Sequence, residues 1–331
     1  MRAHRVLPVI LVIAGLLLAS PGSVQAQQLA GLSDCADFAF STEEDFLSQG
    51  PTPPDGNPLI SDGDLLSATG QVCLRNRDLL SKWDIGVDLG LDAVDVVDVA
   101  SGLVVFSTEL DDPQGRFKAG DLLATNGTVI PNQALLVLFQ VGRDLGLDAV
   151  QLIGSDQALI RFFDFAASKS RDFWREGLIG ALGEYQVDIW FSTEQTERQA
   201  ATRPILDGYL LSAATGAYVA PQLALLDPPI PADIPNRGVD FGLDAFASDR
   251  QGQRPTFRFS TEILYRPTPS FSDGDILRLG GAVEVFADTL MAPFEPKARF
   301  LGLDALHVRA PGNRVSLPLI LKLLRQLGGV Q

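Results

Sequence analysis

Short runs of alternating and β-branched residues dominate the chain. Residues 91–98 alternate apolar and polar side chains with a period of two, which is typical of a half-buried strand. Residues 103–108 are β-branched and aromatic, and the intervening Ser101-Gly102 predicts a hairpin turn. A third strand is predicted to start at Gly120, and a fourth is predicted over residues 135–141. Helical periodicity is nearly absent from these units.

The strand pattern recurs because three short motifs repeat four times in a fixed order. Phe-Ser-Thr-Glu begins at positions 40, 106, 191 and 259, and Gly-Leu-Asp-Ala begins at positions 90, 146, 242 and 302. A glycine-containing element ending in Leu-Leu or Ile-Leu lies between them, at 61–66, 119–123, 207–211 and 272–277. Recurrence at about 70 residues predicts an internal repeat of four-stranded antiparallel units, as in β-propeller blades.

The two ends of the repeat region predict ring closure. The chain enters at a Phe-Ser-Thr-Glu strand and leaves with a Gly-Leu-Asp-Ala strand, residues 302–308. Pairing of the last strand with the first completes one unit from both ends and removes exposed sheet edges. We therefore expect an all-β protein, a β-propeller of four or five blades over residues 27–310.

Two segments depart from the repeat. Asp156–Gln186 is either a degenerate fifth unit or a helical insertion on a ring of four units. Leu317–Leu327 is leucine-rich and predicts a short helix in the C-terminal tail, residues 311–331. That helix is expected to pack against the ring, with docking to a partner or a membrane surface as the alternative.

The repeat resembles one known family in its architecture. A strand beginning Asp-Ala, followed by a phenylalanine-bearing strand in each unit, is similar to hemopexin-type repeats over about Phe38 to Val308. The resemblance implies a secreted β-propeller and no functional residues. Two features of that family are missing: a disulfide from first to last blade, since both cysteines fall in the first unit, and an aromatic-rich third strand.

The N-terminus has the form of a signal peptide. Arg2 and Arg5 precede the apolar run Val6–Ala19, and small residues precede a cleavage site near Ala26. The run is about 14 residues, whereas a membrane span needs about 20. Residues 1–26 are therefore expected to be removed, giving a secreted protein, extracellular or periplasmic, without a transmembrane segment. Export favours a disulfide between Cys35 and Cys73 over two free thiols.

Composition excludes several classes of protein. The chain has 331 residues, 46% of them apolar, and a formal net charge of −15, so it is globular and repels nucleic-acid phosphates. After the predicted signal peptide one histidine remains, His307, so neither a zinc site nor a Ser-His-Asp triad is expected. The three tryptophans fit core packing better than stacking on a sugar: Trp83, Trp174 and Trp190.

Acidic residues supply the remaining candidate chemistry. The repeated motifs carry eight acids, which we expect to fix turns, for example through a bond from Thr108 to Asp92: Asp92, Asp148, Asp244, Asp304, Glu43, Glu109, Glu194 and Glu262. The alternative is a ring of carboxylates that binds a cation in a central channel. The best candidate calcium ligands are four loop aspartates: Asp62, Asp64, Asp273 and Asp275. Ala119 and Tyr209 stand at equivalent positions elsewhere, which excludes a uniform calcium loop.

The sequence therefore predicts a secreted binding or scaffold β-propeller that is not an enzyme. Its ligand, a protein or a carbohydrate, cannot be named from the residues, and the one cofactor left open is calcium. One alternative is a glycoside hydrolase that uses a pair of carboxylates. The other is a cell-surface assembly or adhesion component that binds calcium.

Overall fold

The computed structural model describes residues 31–200, 203–226, 240–251, 254–266, 270–298 and 301–309. The predicted signal peptide and the predicted C-terminal helix lie outside these residues. The described strands are β1 (Phe38–Thr42), β2 (Phe46–Leu47), β3 (Leu59–Ile60), β4 (Leu65–Leu66), β5 (Val72–Leu74), β6 (Val94–Asp98), β7 (Leu103–Phe106), β8 (Leu122–Ala124), β9 (Val129–Ile130), β10 (Val150–Ile153), β11 (Asp188–Phe191), β12 (Leu210–Ser212), β13 (Tyr218–Ala220), β14 (Phe246–Gln251), β15 (Arg254–Phe259), β16 (Ile276–Arg278), β17 (Val283–Val285) and β18 (Leu303–Val308).

The helices of the described residues are mostly single turns. The α-helices are α1 (Asn76–Leu79), α2 (Asn132–Leu135), α3 (Asp156–Ala166), α4 (Trp174–Tyr185), α5 (Gln222–Leu225) and α6 (Ala287–Met291). Short 3₁₀ turns span Ser33–Cys35, Ser81–Trp83, Val137–Phe139, Arg171–Phe173 and Ala292–Phe294. No helix of the described part of the chain is long and apolar enough to cross a membrane.

Most strands form four antiparallel sheets of four strands each. Sheet 1 has the order β18-β1-β4-β5, sheet 2 β6-β7-β8-β9, sheet 3 β10-β11-β12-β13 and sheet 4 β14-β15-β16-β17. Strands β2 and β3 form a separate hairpin. The chain is therefore all-β, and sheet 1 combines strands from both ends of the described chain, as the order of the motifs predicts.

The four sheets contact one another in a cycle. Strand β6 contacts β10, β10 contacts β14, β14 contacts β18, and β18 contacts β6. Four hydrophobic clusters fill the spaces between sheets 1 and 2, 2 and 3, 3 and 4, and 4 and 1. Each sheet is thus buried on both faces, which accounts for strands such as β7, whose four residues are all buried.

The serine of each Phe-Ser-Thr-Glu motif joins its own sheet to the next one. Its hydroxyl donates to the carbonyl oxygen of the leucine in the following Gly-Leu-Asp-Ala motif. The four bonds are Ser41 to Leu91 (2.9 Å), Ser107 to Leu147 (3.0 Å), Ser192 to Leu243 (2.8 Å) and Ser260 to Leu303 (3.4 Å). The last bond runs from sheet 4 back to sheet 1, so these serine clasps also form a closed cycle.

Removal of one clasp is expected to weaken the packing between two sheets. Ser107→Ala leaves the buried Leu147 carbonyl without this donor, which costs about 1 kcal/mol of unfolding free energy. Urea unfolding followed by tryptophan fluorescence measures the loss. Ser170→Ala, at an exposed serine, is the control and is expected to leave stability unchanged. Equal stability of both variants would contradict a stabilising role for the clasp.

The segment between β10 and β11 is a helical hairpin, not a fifth sheet. Strands β10 and β11 pair directly, Val150 opposite Phe191, and helices α3 and α4 are inserted between them. The Ser155 side chain accepts a hydrogen bond from the Ala158 N–H and caps α3. Leu159, Phe162, Phe163 and Ala166 are the buried face of this helix, at the spacing that a helix requires.

The strand predicted over residues 135–141 is wrong. The fourth strand of sheet 2 is β9, and residues 132–139 form α2 and a 3₁₀ turn. Oδ1 of Asp121 accepts the Asn132 N–H (3.1 Å), and the Asn132 carboxamide bonds the Leu145 N–H and the Gly146 carbonyl. These contacts need a helical turn at this position, and Gln140, at φ 58°, ends it.

The disulfide between Cys35 and Cys73 is present. It closes a loop of 38 residues, which stabilises the fold by about 4 kcal/mol in the chain-entropy model. The three tryptophans and His307 are at most 7% exposed, as expected for residues of the core and of a strand. Trp83, for example, packs edge-on against Phe106 and Phe117.

Candidate functional site

The repeat brings eight carboxylates to one end of the ring. Each Gly-Leu-Asp-Ala motif precedes or begins the first strand of a sheet, and each Phe-Ser-Thr-Glu motif ends the second strand. These two strands are antiparallel, so the start of one lies beside the end of the other. We call the eight residues the carboxylate cup: the cup aspartates Asp92, Asp148, Asp244 and Asp304, and the cup glutamates Glu43, Glu109, Glu194 and Glu262.

The cup aspartates are buried, and three of them have one oxygen without a hydrogen-bond partner. They are between 4% and 7% exposed. The Oδ2 atoms of Asp92, Asp148 and Asp304 are inaccessible to solvent and have no hydrogen-bond partner. Asp244 differs, because the Ser260 hydroxyl lies 3.4 Å from its Oδ2. Buried carboxylate oxygens without a donor cost free energy unless a ligand satisfies them.

The cup glutamates lie above the aspartates and are more exposed. Glu109, Glu194 and Glu262 are exposed, and Glu43 is half-buried. Each one packs over the glycine of its own sheet's Gly-Leu-Asp-Ala motif, where a β-carbon would overlap the glutamate side chain. Gly90 and Gly146 also have φ angles of 73° and 78°, which other residues rarely adopt. The glycine of the motif therefore makes room for the glutamate.

Three cup residues already approach the spacing of a metal site. Carboxylate oxygens of Asp92, Glu109 and Asp304 all lie within 4.8 Å of one another. Calcium binds oxygens at 2.3–2.6 Å, so ligands on opposite sides of one ion are about 5 Å apart. Among the described residues, this is the group of three acids, histidines or cysteines whose possible ligand atoms all lie within 4.8 Å of one another.

Burial and the closeness of like charges raise the pKa values of the cup carboxyl groups. Burial raises the pKa of the four cup aspartates well above the ordinary value, and neighbouring carboxylates raise it further. Burial together with nearby acids also raises the pKa of Glu43, Glu109 and Glu262 to about 7. The cup is therefore short of positive charge.

Polar pairs lie further along the first strands. Three residues beyond Asp92 and Asp304, on neighbouring strands β6 and β18, Nδ1 of His307 lies 2.9 Å from Oδ1 of Asp95. Beside them, the Ser248 hydroxyl donates to Oε1 of Gln151 (2.6 Å). At about 3.3 Å per residue, these pairs lie roughly 10 Å from the aspartates along the strands. The cup is thus bordered along the strands by hydrogen-bonded polar pairs.

The loop aspartates predicted as calcium ligands occupy two kinds of position, and calcium binding by them stays a prediction. Both oxygens of Asp64 accept backbone N–H groups, of Asn76 and Ser61, and Asp275 likewise accepts those of Ala287 and Ser272. These carboxylates connect a loop to the turn that follows it. Asp62 and Asp273 instead lie beside the cup, where they raise the pKa of Glu109 and Glu43 respectively.

The turn-fixing bond predicted for the repeated acids is absent. The Thr108 hydroxyl donates to the Leu110 carbonyl (3.0 Å) instead of to Asp92. The equivalent threonines of the other three sheets do the same, at 3.1–3.2 Å. The threonine of each motif therefore bonds within its own turn, whereas the Ser260 hydroxyl lies 3.4 Å from Oδ2 of Asp244. A structural role of the repeated acids stays a prediction.

A further set of acids around the cup was missed from the sequence. Oδ1 of Asp88 and of Asp144 accepts the N–H of the motif glycine two residues later. At the fourth repeat Phe300 stands at that position, and Oε2 of Glu44 accepts the Gly302 N–H instead. Aspartate two residues before the glycine in three of four repeats was the available signal.

The fold and the cup define a class: an all-β repeat protein with a buried carboxylate centre. No protein-family model, curated protein or solved structure matches the chain. The resemblance to hemopexin-type repeats stays a prediction, and the function has to be argued from the cup itself.

Proposed function

We propose that this chain is a secreted four-bladed β-propeller that binds calcium in its carboxylate cup and serves as a non-enzymatic binding or scaffold module. The observation that carries the proposal is the approach of Asp92, Glu109 and Asp304 within 4.8 Å, with buried and unpartnered oxygens on both aspartates. Oxygen-rich, negatively charged sites of this kind favour calcium.

Two cycles of contacts support the propeller. The four serine clasps run from sheet to sheet and return to the first, and the four hydrophobic clusters do the same. In a propeller the first strands of the blades surround the central axis. The cup aspartates begin or precede those strands, so a propeller gathers four copies of one residue at one point.

The chemistry of the donors argues for calcium over other cations. The cup contains carboxylates and neither histidine nor cysteine, so it lacks the ligands that zinc and copper prefer. The three close carboxylates come from two different sheets, and Glu109 is exposed, so its side chain can adjust. Calcium accepts irregular sets of six to eight oxygens, whereas magnesium requires near-ideal octahedral geometry.

The same electrostatics make a glycoside hydrolase the weaker interpretation. That mechanism needs one carboxyl group kept protonated beside one kept ionised. In the cup, burial and like charges raise the pKa of all eight carboxylates. A hydrogen bond with Asp304 lowers the pKa of Glu109, but burial and like charges outweigh it, so the net shift is upward for both residues. The cup therefore suits a cation better than an acid–base pair.

Calorimetric titration with calcium chloride tests the proposal. The purified chain, stripped with EDTA and exchanged into metal-free buffer, is expected to bind calcium with a dissociation constant in the millimolar range or tighter. Glu109→Gln removes one ligand and is expected to weaken binding at least about tenfold. Glu184→Gln, an exposed change of the same charge on α4, should leave binding unchanged.

Two results would overturn the proposal. One is the absence of calcium binding at millimolar concentrations, the range of the weaker extracellular calcium modules. The other is calcium-independent hydrolysis of glycosides that is lost in Glu109→Gln, which would make the cup catalytic.

A further inference from the structure

The close group of three carboxylates belongs to a junction between two sheets, and the ring has four such junctions. Asp304 comes from sheet 1, while Asp92 and Glu109 come from sheet 2. Each junction thus combines the cup aspartate of one sheet with the cup aspartate and cup glutamate of the next. The other three sets are Asp92, Asp148 and Glu194; Asp148, Asp244 and Glu262; and Asp244, Asp304 and Glu43.

The junction of sheets 3 and 4, opposite that of sheets 1 and 2, also contains a buried carboxylate oxygen without a partner. Asp148 is 6% exposed, and its Oδ2 has no hydrogen-bond partner. It is not one of the three residues of the close group, so an ion held there would leave this oxygen unsatisfied. Asp148 and Asp244 precede β10 and β14, two strands in contact, and Glu262 packs over Gly242, two residues before Asp244. At the junction of sheets 3 and 4 these three residues therefore occupy the positions that Asp304, Asp92 and Glu109 occupy at the junction of sheets 1 and 2.

We propose that the cup binds two calcium ions on opposite sides of the ring, the second held by Asp148, Asp244 and Glu262. This inference rests on the proposed function, because it places a second ion beside the first. It accounts for the unpartnered oxygen of Asp148, which one ion at the other junction does not reach.

Repulsion between the ions selects the opposite junction. Neighbouring sets share one aspartate, so two ions there would lie close together, whereas opposite sets share no residue. Two divalent ions repel each other four times as strongly as two single charges at the same distance, so they occupy the most distant pair of sets. Eight carboxylates exceed the charge of one calcium ion and still exceed that of two.

The second site is expected to fill after the first. The oxygens of Asp148, Asp244 and Glu262 do not meet the 4.8 Å criterion that the first group meets, so a side chain must move to close the site. Glu262 is exposed and is the member free to move. That rearrangement and the charge of the first ion both lower the affinity of the second site.

Binding stoichiometry, measured by calorimetry with calcium chloride on the full chain, tests the inference. The unaltered protein is expected to bind two ions per chain in two steps. Glu262→Gln should weaken the second step at least about tenfold and leave the first, whereas Glu109→Gln should weaken the first. Both glutamates are exposed, and far-ultraviolet circular dichroism checks that each variant is folded. Glu184→Gln is again the control.

The outcomes separate this inference from the proposed function. One ion per chain, lost in Glu109→Gln and unaffected in Glu262→Gln, would overturn the second site and leave the first. Two ions, neither of them sensitive to Glu262→Gln, would also overturn it. The absence of calcium binding would overturn both.

Discussion

Replacement of Asp92 by asparagine is expected to stabilise the calcium-free protein and to weaken its response to calcium. Most polar substitutions at a 6% exposed position destabilise a fold. Here the buried Oδ2 of Asp92 has no hydrogen-bond partner, and the charges acting on the residue are those of Glu194, Glu109 and Asp62. At pH 8 the carboxyl group costs free energy whether it stays charged among like charges or takes up a proton. Asparagine has the same shape and carries no charge, so it avoids this cost.

The gain should be about 1.4 kcal/mol for each unit by which the pKa of Asp92 lies above its value in the unfolded chain. Urea unfolding at pH 8, with EDTA or with calcium, measures both effects. The unaltered protein should gain about 4 kcal/mol when calcium is a thousandfold above the dissociation constant of the first site, and Asp92→Asn should gain less, because only the weaker second site stays intact.

Asp98→Asn, at the end of the strand β6 that follows Asp92, is the matched control. Asp98 accepts hydrogen bonds from the N–H groups of Ala100 and Ser101 and from the Ser101 hydroxyl, and these bonds lower its pKa. Its replacement should destabilise the fold with or without calcium. Loss of stability in calcium-free Asp92→Asn as well would contradict the interpretation of the cup as a site strained without its ion.

The local sequence pattern predicts much of the fold. The order of the two repeated motifs predicts that β18 pairs with β1, and it does. The hairpin predicted at Ser101-Gly102 is confirmed by the pairing of β6 with β7, and the Ser107 N–H donates to the Ala93 carbonyl. Period-two patterns and turn residues determine such neighbours, because the two strands are close in sequence.

Local pattern does not distinguish every element. The apolar run over residues 135–141 suits a strand as well as a buried helical turn, and the side chain of Asn132 decides between them through contacts with Leu145 and Gly146. In α3, Leu159, Phe162 and Phe163 have the helical spacing. These three positions alone do not distinguish a helix from a degenerate strand.

The role of the repeated acids could not be predicted from one unit. Four identical aspartates in four copies of a motif look like a structural requirement of each copy. Cyclic packing changes this, because it brings residues about 60 to 100 positions apart to one axis. The grouping of eight carboxylates arises from the packing of the four sheets and cannot be read from one motif.

The calcium-free protein is expected to lose stability as the pH rises from about 5 to 8. Burial and neighbouring acids raise the pKa of Glu43, Glu109 and Glu262 to about 7, from 4.5 in the unfolded chain. Between these values the folded state holds protons that the unfolded state has released, so folding is favoured by low pH. This contribution is complete below about pH 4.5 and is lost as the pH passes 7.

Thermal unfolding in EDTA measures the effect, with a fall in midpoint of roughly 2–4 °C for each kcal/mol lost. Acids whose pKa is lowered, such as Asp112 beside Arg116, lose their contribution only below about pH 4, outside this window. Calcium should restore the midpoint at pH 8, because the ion replaces the protons that the cup has lost. The double variant Glu109→Gln, Glu262→Gln should flatten the pH profile, since amides do not titrate. A midpoint that rises between pH 5 and pH 8 in EDTA would show that the cup is not strained by its charges, and calcium would then have no reason to bind there.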